Sequence, residues 1–303
     1  MASASSWLTS SIALGNMIGW IMACSSSEPA ASAPPATDDT ANESEVPKKK
    51  VKKDASASAP DADVSDDAEA DIATDASPPA LKCDQSPHAT GFTTRSVLGG
   101  KYVTYVPASY VKTKAVPVVV ALHGAGDTAN NFIKYEWQAN ADSLGWIVIA
   151  PEGSLIVSTG AGWDPIDEAR ILGAIDATYA CYAALPRKTI IHGFSTGASM
   201  ALSIALKHPN QFAGAAISSG SLDQAEKSFN GGKSLLPATR ALPVSIFHGM
   251  SDPVTLFSAA QATKSALEAK GHTVLFHSFT GAHKTKPEDA LVQANDLASY
   301  SAP

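Results

Sequence analysis

The chain has 303 residues, 45% of them hydrophobic, and a formal charge of −7, so it is long and apolar enough to bury a substantial core. The charge is confined to one stretch: from about Ser25 to Lys82 there are 13 Asp or Glu against 6 Lys, whereas residues 83 to 303 carry 16 of each sign. A near-neutral folded part offers no basic face for nucleic acid and no single-sign field to steer a charged ligand, which leaves a small neutral ligand as the expected partner.

Taken in chain order, Trp7 to Cys24 is mostly apolar or small, and Ile21-Met22-Ala23-Cys24 followed by three serines resembles a bacterial lipoprotein cleavage site. There Cys24 would take the lipid. Such signals open on Lys or Arg, and none precedes Cys24, so an ordinary signal peptide is the alternative. From Ser25 to Lys82 no Phe, Trp or Tyr occurs, and Ala, Ser, Pro and Asp dominate. That composition cannot offset the entropy of ordering. The expected plan is therefore a lipoprotein-type signal peptide over 1–23, a disordered tether over 24–82 and a folded catalytic domain over 83–303. This places the protein in a bacterial cell envelope, anchored to a membrane, or in the secreted fraction. The Lys48–Lys53 run reads as a solvated charge block, or as a patch that touches an anionic surface. If Cys24 is lipidated, Cys83 and Cys181 remain as an even pair, either a disulfide or two unrelated thiols. No zinc-type CxxC spacing occurs, and no metal is expected.

After Cys83, short β-branched runs alternate with longer helical patterns. Tyr102–Val106 predicts an antiparallel edge strand, ended by Pro107. Buried strands are predicted at 118–122, 146–150, 189–191, 213–218, 244–247 and 273–276. Helices are predicted at about 130–144, 167–184, 197–208, 256–270 and 286–299. Ser221 to Pro243 is the one segment available as a lid, so a short lid or none is expected. The alternation predicts an α/β fold: a mostly parallel, doubly wound sheet with helices on both faces and functional residues just after the strands.

The chemistry follows that placement. Gly193-Phe194-Ser195-Thr196-Gly197 lies between a buried strand and a helix, and glycines at its ends allow a sharp turn that exposes the Ser195 hydroxyl as a nucleophile. Leu122-His123-Gly124-Ala125-Gly126 follows the most hydrophobic strand, where an oxyanion amide is needed. Ala125 is the candidate donor, with Gly124 its rival, and the second donor is the Thr196 amide. His123 is expected to brace this turn. Asp252, in His248-Gly249-Met250-Ser251-Asp252-Pro253, follows the next strand but one and is the expected acid, with Asp223 the alternative. For the base, His272 falls at the wrong end of the sheet and His277 within a strand. His283 follows the last strand on the catalytic side. Ser195, Asp252 and His283 then stand in the order that resembles the α/β-hydrolase fold, and protein groups and water suffice without a cofactor.

Over residues 90 to 300 the sequence resembles secreted polyhydroxybutyrate-depolymerase-like and feruloyl-esterase-like hydrolases. The features are Val119 to Gly124, Ala150-Pro151-Glu152-Gly153, Gly162-Trp163-Asp164, Gly193 to Ala198, His248 to Asp252 and Gly281-Ala282-His283. That resemblance implies a serine carboxylesterase, and a monomer is expected. The same resemblance places Trp163 near the acyl pocket, the alternative being a core aromatic, and has Asp164 support its loop. With little chain after His283 for the added module that polymer depolymerases carry, soluble esters, oligomers or acylated polysaccharide fragments are expected. The competing readings are a serine peptidase of the same fold and a lipid-anchored binding protein without catalysis.

Overall fold

The computed structural model describes Cys83 and residues 86–303. The expected signal peptide, Cys24 and the tether before Cys83 lie outside the described residues. In chain order the first elements are β1 (Gly91–Val97), β2 (Gly100–Val106), β3 (Val118–Leu122), α1 (Ala129–Phe132), a π turn (Ile133–Trp137), α2 (Gln138–Leu144) and β4 (Ile147–Pro151). A hairpin of β5 (Leu155–Val157) and β6 (Gly160–Gly162) follows, then α3 (Asp167–Cys181), β7 (Ile190–Phe194), α4 (Thr196–Lys207) and β8 (Gly214–Ser218). The chain continues through α5 (Leu222–Phe229), β9 (Val244–Gly249), α6 (Phe257–Glu268), β10 (Val274–Phe279) and α7 (Pro287–Leu297).

Eight strands form one sheet in the order β1-β2-β4-β3-β7-β8-β9-β10. The pairings β1 with β2 and β2 with β4 are antiparallel, and the rest are parallel. The central strands are continuous apolar runs because both faces are covered. Along β3, Val118, Val120 and Leu122 join a cluster with Ile171, Leu202 and Leu267, whereas Val119 and Ala121 join Phe132, Trp137, Ala290 and Leu297. Alternate side chains of one strand point to opposite faces. The first cluster therefore lies under α3, α4 and α6, and the second under α1, α2 and α7.

One expectation needs correction and two gain detail. The strand at Tyr102–Val106 is antiparallel but not at the edge, because β1 pairs along its whole length. β1 is hard to recognise in sequence: its residues Thr93, Thr94, Arg95 and Ser96 give no apolar run, and Phe92 is 37% exposed. The helix expected at 130–144 is interrupted by the π turn, which widens one turn of a continuous helical segment. Of the expected short lid or none at Ser221 to Pro243, the structure has no detached lid. That segment folds as α5 and a loop whose Leu235 and Leu242 are buried in the core. Of the two readings of the thiols, the structure contains the Cys83–Cys181 disulfide, with Cα atoms 4.7 Å apart, which ties the chain ahead of β1 to the end of α3.

Candidate active site

The carboxyl ends of β3, β7, β9 and β10 bring the candidate residues together. Ser195 sits between β7 and α4 with φ +56° and ψ −121°, a conformation that L residues avoid. Close packing around it holds that geometry. A Cβ on Gly193 would stand 2.2 Å from the Gly197 carbonyl oxygen, and one on Gly197 would stand 2.3 Å from the His123 carbonyl oxygen. Only glycine fits at either end, so strand, turn and helix approach closely enough to force the serine outward.

His283, on the loop after β10, links the other two groups. Its Nε2 lies 2.8 Å from Ser195 Oγ and its Nδ1 lies 2.7 Å from Asp252 Oδ2. The loop is held on two sides. Toward β9, the Met250 amide donates to Phe279 O and the Ser251 amide to Gly281 O. Toward the helical segment, Thr285 Oγ1 donates to Glu136 Oε1, and Asn140 Nδ2 donates to Pro287 O at 2.7 Å. Asp252 is 3% exposed, and its Oδ1 accepts the amides of Val254 and Thr255 at 2.8 and 2.9 Å. Burial alone would push this carboxyl up. The hydrogen bonds from His283, Val254 and Thr255 outweigh burial and hold it below the ordinary carboxylate range, so it stays charged.

Above Ser195 runs the loop after β3. Neither the Ala125 nor the Thr196 amide has a hydrogen-bond partner among the described residues. His123 is buried: its Nδ1–H donates to Gly124 O at 2.8 Å, and its Nε2 accepts the Gly153 amide at 3.3 Å. Trp163 Nε1 donates to His123 O at 2.7 Å, and the two rings lie 4.7 Å apart. Trp163 is 5% exposed and belongs to the core. It lines no part of the cleft at Ser195, and its contact with the site runs through the backbone of the loop after β3. Asp164 makes a local bond, Oδ1 accepting from the Ile166 amide. The wider support comes from Asp167, whose Oδ2 accepts from Ser154 N, Ser154 Oγ and Asp164 N, each at 3.0 Å.

The remaining candidates take no part in the hydrogen-bonded chain from Ser195 through His283 to Asp252. Asp223 is an exposed residue of α5 that lines the cleft at Ser195 but is paired with Lys227 and not with His283. His272 is buried against Leu242, and His277 lies 2.7 Å from Asp296. Neither contacts Ser195. A cleft of about 540 Å³ opens at Ser195 and Thr196, walled by Ser221 and Gln224 of the α5 entry and by Val254, Thr255 and Leu256 before α6. This wall was missed in sequence, although Ser221 and Gln224 have the Ser-x-x-Gln spacing of a helix start, with Ser221 Oγ accepting from the Gln224 amide. A second cavity of about 240 Å³, lined by Ile175, Tyr179, Arg187 and Pro303, holds none of these groups. No group of three metal-ligating side chains occurs among the described residues.

An α/β sheet with this strand order, carrying a serine on a strained strand-to-helix turn beneath free amides, defines a serine hydrolase of the α/β-hydrolase fold. Residues 174–298, which include Ser195, Asp252 and His283, match the family model described as Phospholipase/Carboxylesterase. A rice protein (Oryza sativa subsp. japonica) named "Probable carboxylesterase Os04g0669500" is 27% identical over 187 residues, spanning 54% of this chain and 69% of its own. "Carboxylesterase SOBER1" of Arabidopsis thaliana is 25% identical over 187 residues, spanning 54% and 81%. Among solved structures, esterase 2 of Thermogutta terrifontis, in a form phosphorylated by paraoxon, shares the fold with a TM-score of 0.56 at 18% identity. That likeness covers 70% of this chain and 96% of the esterase.

Proposed function

We propose that this hydrolase cleaves carboxylic esters through Ser195, His283 and Asp252, by way of an acyl-enzyme. The observation that carries the reading is the continuous hydrogen-bonded chain from Ser195 Oγ through both nitrogens of His283 to Asp252, at 2.8 and 2.7 Å. His283 Nε2 takes the hydroxyl proton as Ser195 attacks the ester carbonyl, and the charged Asp252 carboxylate stabilises the imidazolium. The amides of Ala125 and Thr196 then donate to the tetrahedral oxyanion, a contribution typically worth roughly 10²–10³-fold per donor. His283 returns the proton to the leaving alcohol. Water repeats the sequence on the acyl-enzyme, with His283 again the base.

The cleft favours a neutral substrate. Its wall mixes hydroxyl and amide groups of Ser221, Gln224 and Thr255 with the exposed aliphatic Val254 and Leu256, and the charge of Asp223 there is balanced by Lys227. Short acyl esters, hydroxybutyrate oligomers, feruloyl esters and acylated polysaccharide fragments fit that chemistry, in keeping with the resemblance to depolymerase-like and feruloyl-esterase-like enzymes. We place the enzyme at a bacterial cell envelope as a monomer tethered through lipidated Cys24, or in the secreted fraction. Cys24→Ala should move it from the membrane to the soluble fraction, and unchanged fractionation would rule the anchor out.

The test of the chemistry is hydrolysis by the full chain of short and medium acyl esters, a feruloyl ester and a hydroxybutyrate oligomer, beside Ser195→Ala. Wild type should turn over at least one class and Ser195→Ala none. Inactivity on every ester, or a Ser195→Ala variant that keeps its rate, would overturn the reading.

A further inference from the structure

One fully buried imidazole beside the triad has no role in the chemistry above. His248, at the carboxyl end of β9, is 0% exposed. Its Nε2 lies 2.7 Å from the Thr255 carbonyl oxygen, which can only accept, so Nε2 carries the proton. The same nitrogen stands 3.5 Å from Asp252 Oδ2, too long for a strong bond but close enough to flank the carboxylate. In the neutral tautomer with that proton, Nδ1 is a lone pair, buried with no partner among the described residues.

That orphan is informative. A buried acceptor without a donor is destabilising, and an aliphatic side chain would fill the same space without that cost. Packing alone therefore does not explain histidine here. Its N–H does, because of where it points. Thr255 closes the turn that begins at Asp252, and the amides of Val254 and Thr255 are the two donors to Asp252 Oδ1. Val254, Thr255 and Leu256 also form one wall of the cleft at Ser195. A single donor under the Thr255 carbonyl thus fixes both the aim of the triad carboxylate and the position of the substrate wall.

We propose that His248 is a positioning residue of this site: its Nε2–H clamps the Asp252–Thr255 turn, so that Oδ2 stays directed at His283 and the wall at 254–256 stays in register with Ser195. The proposal rests on the ester-hydrolase reading for its turnover assay. It acts through Asp252 and touches no reacting atom.

The experiment compares full-length wild type with His248→Leu, His248→Gln and His248→Asn on a short-chain p-nitrophenyl ester, with thermal unfolding in parallel. Glutamine carries an amide N–H where Nε2 stands, whereas leucine has no donor and asparagine is too short. His248→Leu should lower kcat about 10-fold to 100-fold, the scale of a small misplacement of catalytic groups, with a smaller rise in KM. His248→Gln should regain most of kcat, and His248→Asn should not. A Leu variant with wild-type kcat, or Gln and Asn variants equal in rate, overturns the proposal. If the Leu variant does not fold, the Gln and Asn pair decides. The rate at which a fluorophosphonate labels Ser195 is measured on the same proteins and needs no ester turnover. If wild type labels but hydrolyses no ester, the ester reading fails alone and the labelling rates test the clamp. If wild type does neither, both fall.

Discussion

The two faces of the sheet are built differently. Under α3, α4 and α6 the apolar cluster is the larger one, with Ile171, Leu202, Ile204 and Leu267 fully buried beside the aromatic Tyr182 and Phe212. Under α1, α2 and α7 the apolar cluster is threaded by buried directional bonds. Trp137 Nε1 donates to His192 Nδ1, and Gln293 Nε2 donates to the carbonyls of Ile217 and Ser245 while its Oε1 accepts from Ser218. Burial holds the His192 imidazole neutral, its pKa pushed down to about 3. Thr285 and Glu136 add a bond at the edge of this face, two residues beyond His283. Apolar contacts are non-directional and hydrogen bonds are not. The oily face therefore supplies stability, and the laced face fixes where α7 and the His283 loop stand.

Four substitutions sharpen or break that contrast. The largest effect is expected outside both faces: Asp252→Asn should lower kcat/KM by about 10⁴-fold with little change in melting temperature, because the imidazolium loses its charged partner. A loss below tenfold would mean that Asp252 does not orient His283. On the oily face, Leu202→Ala should cost about 2–5 kcal/mol in denaturant unfolding while the folded fraction keeps its kcat. A specific loss of kcat there would erase the distinction between the faces.

On the laced face the signature is pH. Burial pushes the Glu136 carboxyl up to about 8 against the Thr285 hydrogen bond, and the nearby Asp289 and Glu288 raise it further. Its folded pKa thus lies above its unfolded value, and the native state binds the proton more tightly. The stability this contributes is fully present below about pH 4.5 and is lost as pH rises through about 8. Glutamine stays neutral, so Glu136→Gln should stabilise by on the order of 2–3 kcal/mol at pH 9 relative to its effect at pH 5. A pH-independent difference in melting curves would refute the buried, protonated acid. The smallest effect belongs to Gln293→Leu, which leaves the Ser218 hydroxyl without its acceptor and two carbonyls without their donor. It should cost about 1–3 kcal/mol in unfolding. A neutral outcome would show that β8 and β9 need no tie from α7.

Much of this was legible before any coordinates. Continuous runs such as Val118–Leu122 and Ile147–Ala150 mark strands covered on both faces, and the glycines at 193 and 197 mark a turn with no room for a side chain. Those signals are local in sequence, as is the order in which Ser195, Asp252 and His283 follow their strands. β1 was not legible, because an edge strand with one wet face needs no apolar run. The cleft wall at Ser221 and Gln224 carried a helix-start spacing that was open to recognition, but nothing in the chain says that this helix faces the loop at Val254 to Leu256.

Trp163 and His248 show the same boundary from the other side. A tryptophan beside Gly162 reads equally as pocket or core, and only its 2.7 Å bond to the His123 carbonyl assigns it to bracing the loop after β3. His248 reads as part of a motif around Asp252, and only its burial and its bond to Thr255 separate a clamp from a spectator. The sequence by itself determined the strand pattern, the strained turn at Ser195 and the identity of the three aligned groups, because each depends on residues a few positions apart. The tertiary structure decided the register of the loops, the walls of the cleft and the protonation of buried acids. Those depend on distances and dielectric set by segments as far apart as Glu136 and Thr285, which no local pattern encodes.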